Sequence, residues 1–230
     1  VILKDLAPFV PALSRFEEPL DLNLVFSGHG KHLDCPTLQL ANHHGLMIAG
    51  EAALSNWDAG MDMYIYGKLG NLIMTKEGIN VLMTNLTGKV PPILQRLDYI
   101  RFNGEAAGYL HDLTLTGLFH TGAGMVKTDV MMSIDEQSMS RTYSGSVASA
   151  DLDLGKLLNQ EKKFGKVDFN VELKGFNYKN RYPESYIKGI ISSFEYSQYQ
   201  YENIMLDGVY KDGGFNGRLS MDDANGSVQI

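Results

Sequence analysis

Cysteine is all but missing: Cys35 stands alone among 230 residues. That excludes an internal disulfide, a CxxC pair and a cysteine-based zinc cluster. One thiol suits the cytoplasm, and equally an oxidising compartment that selects against loose thiols. Positive charge is also short, with 20 Lys and Arg against 27 Asp and Glu and a net charge of −7. A nucleic-acid partner would require a basic footprint, which the scattered Lys and Arg do not make. No apolar run approaches the ~18 residues that read as a membrane-spanning helix, and no signal peptide is present. The chain begins at Val1 without Met and stops at Ile230 inside an alternating pattern, so it reads as a stretch of something longer. Proline is scarce, at 7 residues.

What is present is a globular balance, 44% hydrophobic and 20% charged, with glycine in excess. The 24 glycines are about one residue in ten, above the usual ~7%, and no collagen period organises them. They must serve conformation inside folded structure.

Period-two alternation dominates. In Lys166–Gly175 the apolar set is Val167, Phe169, Val171 and Leu173, and the opposite set is Lys166, Asp168, Asn170, Glu172 and Lys174. That is a strand with one wet face. Similar strands are expected at 22–28, 46–54, 63–69, 99–106, 113–119, 125–134, 185–191, 203–210 and 215–221, with turns at Asp212-Gly213-Gly214 and Asn225-Gly226. One polar face per strand points to antiparallel meanders. Helical signals are few. Thr75 should cap a helix reaching Leu86, with Ile79, Leu82 and Met83 on one face, and Pro91-Pro92 should open a short helix over Ile93–Leu97. Leu154–Leu158 and Asp5–Phe16 are weaker candidates.

The chain repeats itself loosely. Leu24–Gly28, Ile100–Gly104 and Leu173–Gly175 share a pattern, as do Tyr64–Leu69, Thr142–Val147 and Tyr186–Ile191, giving a unit of roughly 70–80 residues. The division expected is 1–98 with short helices, 99–165, and 166–230, all in one continuous elongated β structure.

Glycine recurs on the apolar side of these strands, at Gly67, Gly104, Gly117, Gly175, Gly189, Gly208 and Gly217. Repeated use there lets a sheet bend towards that side and form an apolar trough. The alternative is a β-sandwich in which each glycine makes room for a facing aromatic. The apolar lining of either would include Phe102, Leu115, Phe169, Val171, Ile204, Leu206, Phe215 and Leu219.

Catalytic chemistry finds no constellation. His29, His32, His43 and His44 fall in or beside turns without a second-shell carboxylate spacing, so turn histidines explain them better than a metal site. Gly28–His32 lacks the Walker pattern, and the 222–226 loop lacks the calcium-loop pattern. Phe194, Tyr196, Tyr199 and Tyr201 form an aromatic group that would suit sugar stacking, or simply strand packing. No enzyme activity, cofactor or metal is expected.

A set of segments runs from about Ile100 to Ile230: Ile100–Gly104 followed by Gly108-Tyr109-Leu110, then Leu152–Leu158, Gly189–Tyr196, Tyr201–Tyr210 and Gly214–Ser220, with Leu3–Phe16 and Tyr64–Leu86 more diffusely alike. In these segments the chain resembles the TamB-type proteins of the AsmA-like superfamily, in the form found in Bacteroidota. The resemblance implies a segment of a long periplasmic β-groove whose parent is anchored in the inner membrane. The expected partners are phospholipid acyl chains and an outer-membrane assembly barrel, in lipid transport and outer-membrane biogenesis. Two other readings stand beside lipid shielding: a scaffold that hands strands to nascent barrels by β-augmentation, and an extracellular glycan-binding module.

Overall fold

The computed structural model describes residues 2–6, 14–15, 17, 19–135, 137–138, 140–177 and 184–230. Thirteen strands follow one another in a single antiparallel sheet, each paired with its sequence neighbours. They are β1 (Asp21–His29), β2 (His32–Ala41), β3 (Leu46–Ser55), β4 (Tyr64–Thr75), β5 (Tyr99–Tyr109), β6 (Asp112–Thr121), β7 (Gly124–Ile134), β8 (Arg141–Asp153), β9 (Phe164–Asn177), β10 (Glu184–Tyr196), β11 (Tyr199–Lys211), β12 (Gly214–Asp223) and β13 (Gly226–Gln229). Strand dominates the described residues, and the sheet does not close into a barrel. Thirteen strands at ~4.8 Å spacing reach about 58 Å from edge to edge. The architecture is the mainly β, antiparallel, curved sheet that the alternation predicts; among the described residues there is no second sheet to make a sandwich.

Three short helices interrupt the meander. α1 (Lys76–Thr87) and α2 (Pro92–Gln95) lie between β4 and β5, and α3 (Leu154–Leu158) lies between β8 and β9. Helices therefore follow the fourth and the eighth strand, and the repeated motif of Leu24–Gly28, Ile100–Gly104 and Leu173–Gly175 falls on β1, β5 and β9. The boundary at 98/99 falls just before β5, and that at 165/166 falls two residues inside β9. Strand hands over to helix through a capping side chain in both places. Thr75 Oγ1 accepts from the Gly78 N–H, and an Asp153 carboxylate oxygen accepts from the Lys156 N–H. Of the weak Asp5–Phe16 candidate, Leu3–Leu6 is one 3-10 turn, and residues 7–13 and 16 lie outside the described residues.

The core is small and sits at the helical end of the strands. Ile79 of α1, 1% exposed, meets Leu97, Ile100 and Ala123, with Met74, Met83, Leu94, Phe119 and Leu157 packed around them. α1 thus presses its apolar stripe onto the ends of β4 and β5, since twelve residues would not hold a helix alone. The total accessible surface is 14331 Å². A compact protein of this mass would expose about 10,400 Å², so the chain spreads its surface as an open sheet does.

Three strands fall outside the expected set: β2, β8 and the four-residue β13. β2 carries Pro36 at a bulge between Cys35 and Leu38, where a missing N–H interrupts no ladder bond. β8 is rich in Ser and Ala and has few large apolar residues to mark a face.

Candidate functional site

Pairing register places side chains in rows across the sheet, because directly opposed residues share a face. One row runs without a break from Leu22 on β1 to Val228 on β13. Its members include Leu40, Ile48, Leu72, Phe102, Phe119, Val126, Phe169, Ile191, Ile204 and Met221, and Ser149 on β8 is its one polar member. The next row joins Leu24, Leu38, Gly50, Leu69, Gly104, Gly117, Thr128, Val147, Val171, Gly189, Leu206 and Leu219. A third carries Gly67, Leu115, Gly208 and Gly217, and a fourth carries Gly175 and Phe215. All eight residues expected to line the trough, and all seven glycines, therefore lie on one face.

We call that apolar face the inner face. A Cβ at Gly104 would stand 2.3 Å from the Thr116 carbonyl oxygen and 2.6 Å from Gly117 Cα, so neighbouring backbone crowds in on this side. The Phe102 ring lies across Gly104 and Gly117, within 2.4–2.7 Å of where a Cβ would be. Glycine here does two things: it lets the strands coil inwards, and it leaves room for a ring from the same sheet. Phe102 is only 7% exposed, and Val171 and Ile204 only 8%, although among the described residues no second sheet covers them. Gly67 differs, since open space lies where its Cβ would go. Exposure rises towards the sheet's edges, to 37% at Leu24, 40% at Phe215 and 44% at Val228. One hydroxyl on this face, Thr128 Oγ1, is buried without a hydrogen-bond partner.

Along the helical side, polar ties bind the two helical connections to each other. Lys156 Nζ donates to Asp98 (2.6 Å) and to the Gly122 carbonyl (2.8 Å), and the Arg96 guanidinium donates to the Leu157 carbonyl. The Lys156 ammonium holds the Asp98 carboxyl below its usual range, through the hydrogen bond first and the charge second. α1, α2 and α3 make a side wall over β4 to β9 and leave the strand direction across the sheet uninterrupted.

The outer face carries the charges and, beside them, exposed apolar side chains such as Ile190 (48%) and Met205 (55%). Glu51, Lys68, Glu105, Thr116, Asp129, Ser146, Glu172, Lys188, Asp207 and Arg218 form one cross-sheet row, with opposite charges adjacent at several steps. Lys188 and Asp207 are 3.7 Å apart. Clefts of about 520, 380 and 540 Å³ open on this face between β6 and β13.

The histidines take structural partners. His32 sits between Ser55 Oγ (2.7 Å) and Asp34 (2.9 Å), and His44 Nδ1 meets the Glu77 carboxylate of α1 at 2.7 Å. Among the described residues no group of three or more His, Cys, Asp or Glu is placed to hold a metal ion. The aromatic group grows by a ring that sequence reading left out, Phe164, whose centroid is 5.4 Å from Tyr196 and 6.2 Å from Phe194. Tyr199 and Tyr201 meet edge to face at 4.6 Å, and the Tyr199 hydroxyl donates to Asp223 (2.9 Å). These rings turn largely to one another. No described helix is long and apolar enough to cross a membrane.

Comparison of the chain with protein-family models, with curated proteins and with solved structures returned no match.

Proposed function

We propose that the chain is a non-enzymatic lipid-shielding segment of a periplasm-spanning, TamB- or AsmA-like protein, carrying acyl chains along the inner face of its curved sheet. The observation that carries the reading is the unbroken row from Leu22 to Val228, with its parallel row from Leu24 to Leu219. An acyl chain lying across the strands would meet hydrocarbon or glycine at nearly every step, while the charged row stays on the opposite face. Affinity would come from burial of methylenes, at roughly 0.8 kcal/mol each, and headgroups would remain in water at the open side. The parent protein's anchoring in the inner membrane, and its service to outer-membrane biogenesis, belong to the same proposal through the family resemblance.

The test is mass spectrometry of lipid extracted from protein purified without detergent, with titration of a fluorescent fatty acid. Phospholipid or fatty acid at a stoichiometry near one or above is expected, together with saturable dye binding that added phospholipid displaces. Lipid-free protein that fails to bind the dye would sink the reading. Strand donation to nascent barrels, with an assembly barrel as partner, is the second reading. It draws on the free edge of the sheet: β1 pairs with β2 alone, and Val25 and Phe26 are 54% and 66% exposed. Unfolded barrel peptides protected in hydrogen exchange against β1 would favour it.

A further inference from the structure

We infer that the outer face between β6 and β11 binds a neutral, linear oligosaccharide, with Tyr186 as its stacking ring. This does not rest on the lipid proposal, which concerns the opposite face.

Tyr186 is 39% exposed and lines both the 380 and the 540 Å³ clefts. Its ring is held in place on the face, because the hydroxyl donates to Asp207 Oδ1 on the neighbouring strand at 2.7 Å. A held, half-exposed tyrosine presents its face at little entropic cost, and the ring electrons attract the polarised C–H bonds on the flat side of a sugar. Around it the pairing row reads Thr114, Met131, Ser144, Lys174, Tyr186, Val209. The adjacent row supplies Asp129, Ser146 and Glu172. Hydroxyl, ammonium and carboxylate groups thus stand one strand apart, at ~4.8 Å, a repeat similar to the width of a sugar ring. A chain of sugars laid across the strands would offer each row a set of hydroxyls.

Charge selects the class. Within the 540 Å³ cleft, Lys174 stands against Asp129 and Glu172, so a polyanion gains no net attraction. A hydrocarbon occupant would leave these charged groups without water. A neutral polyhydroxyl chain satisfies both conditions.

Calorimetric titration of the whole chain with cellohexaose and with chitohexaose is the experiment. Binding of at least one, with a Kd in the micromolar to low millimolar range, is expected. Tyr186→Ala should weaken it at least tenfold, and Tyr186→Phe, which keeps the ring, by threefold or less. Leu206→Asp, on the inner face, should leave it within twofold. Ser144→Val reads the same question if Tyr186→Ala fails to fold, and should cost threefold or more. Absence of heat and of any shift with both sugars, or binding indifferent to Tyr186→Ala and Ser144→Val, overturns the inference.

Discussion

Glycine at Gly208 and glycine at Gly67 occupy the same cross-sheet row and do different things. A Cβ at Gly208 would meet the Asn216 carbonyl oxygen and Gly217 Cα at 2.6 Å and the Phe215 ring at 2.7 Å. Backbone cannot step aside as a side-chain tip can, so Gly208→Val should cost about 2–3 kcal/mol and lower the denaturant midpoint without changing the slope. At Gly67 nothing lies within 4 Å. Gly67→Ala removes unfolded-state freedom against no clash, so it should be neutral or stabilising by up to about 1 kcal/mol. Equal losses at both positions would show that glycine serves this row for some reason other than close approach. Nothing in the alternation of the sequence separates the two residues; only the coiling of adjacent strands does.

At the scale of elements, the side wall depends on its caps and on one ion pair. Thr75 ends β4 and begins α1, its hydroxyl accepting from the Gly78 N–H and donating to the His44 carbonyl at 2.8 Å. Thr75→Ala should therefore destabilise the chain by about 1 kcal/mol, seen as a lower denaturant midpoint with faster hydrogen exchange confined to α1. The Asp98–Lys156 contact makes a pH prediction. The folded state holds the Asp98 carboxyl below its ordinary ~3.9. Its contribution is therefore complete above that value and fades as pH falls through the lowered folded pKa. Wild type and Asp98→Asn should differ by a constant, small melting interval from pH 6 to pH 8, and converge only in acid below the lowered folded pKa. A gap that persists in acid would mean that the carboxylate's charge is not what ties α3 to the start of β5.

Much of this level was open to sequence reading. The Thr75 cap, the Ile79 stripe and the Pro-led α2 all have local causes, and all stand as those causes require. β2 was not legible because its Pro36 bulge breaks the alternation, and β8 because Ser and Ala mark no face. The two-residue turn Ser197-Gln198, with φ of 50° and 68°, was hidden too, since neither residue announces a left-handed backbone.

For the whole molecule, the question is how a single layer keeps an apolar face folded in water. A sandwich buries such a face under a second sheet, and among the described residues there is none. Packing between neighbouring rows does part of the shielding: Ile204 on β11 is 8% exposed, while Phe215 on the next strand, three rows along, remains 40% exposed. This gradient follows from register and coiling across many strands, so the alternating residues could name the face without ranking its members. The ranking yields a separation of effects. Ile204→Asp would place a carboxylate where neither water nor a partner reaches it, at a cost of several kcal/mol, and should unfold the chain or lower its melting temperature by more than about 10 °C. Leu206→Asp and Phe215→Asp, on rows that open towards solvent, should keep their β circular dichroism and melt within about 5 °C of wild type. Both should nonetheless lose co-purifying lipid, because an acyl chain crossing either position must strip water from a charge. The three variants together distinguish a surface that needs its apolar face to fold from one that keeps it open for a ligand. If Leu206→Asp and Phe215→Asp unfold as Ile204→Asp does, while the wild type carries no lipid, the inner face is a core and not a conduit.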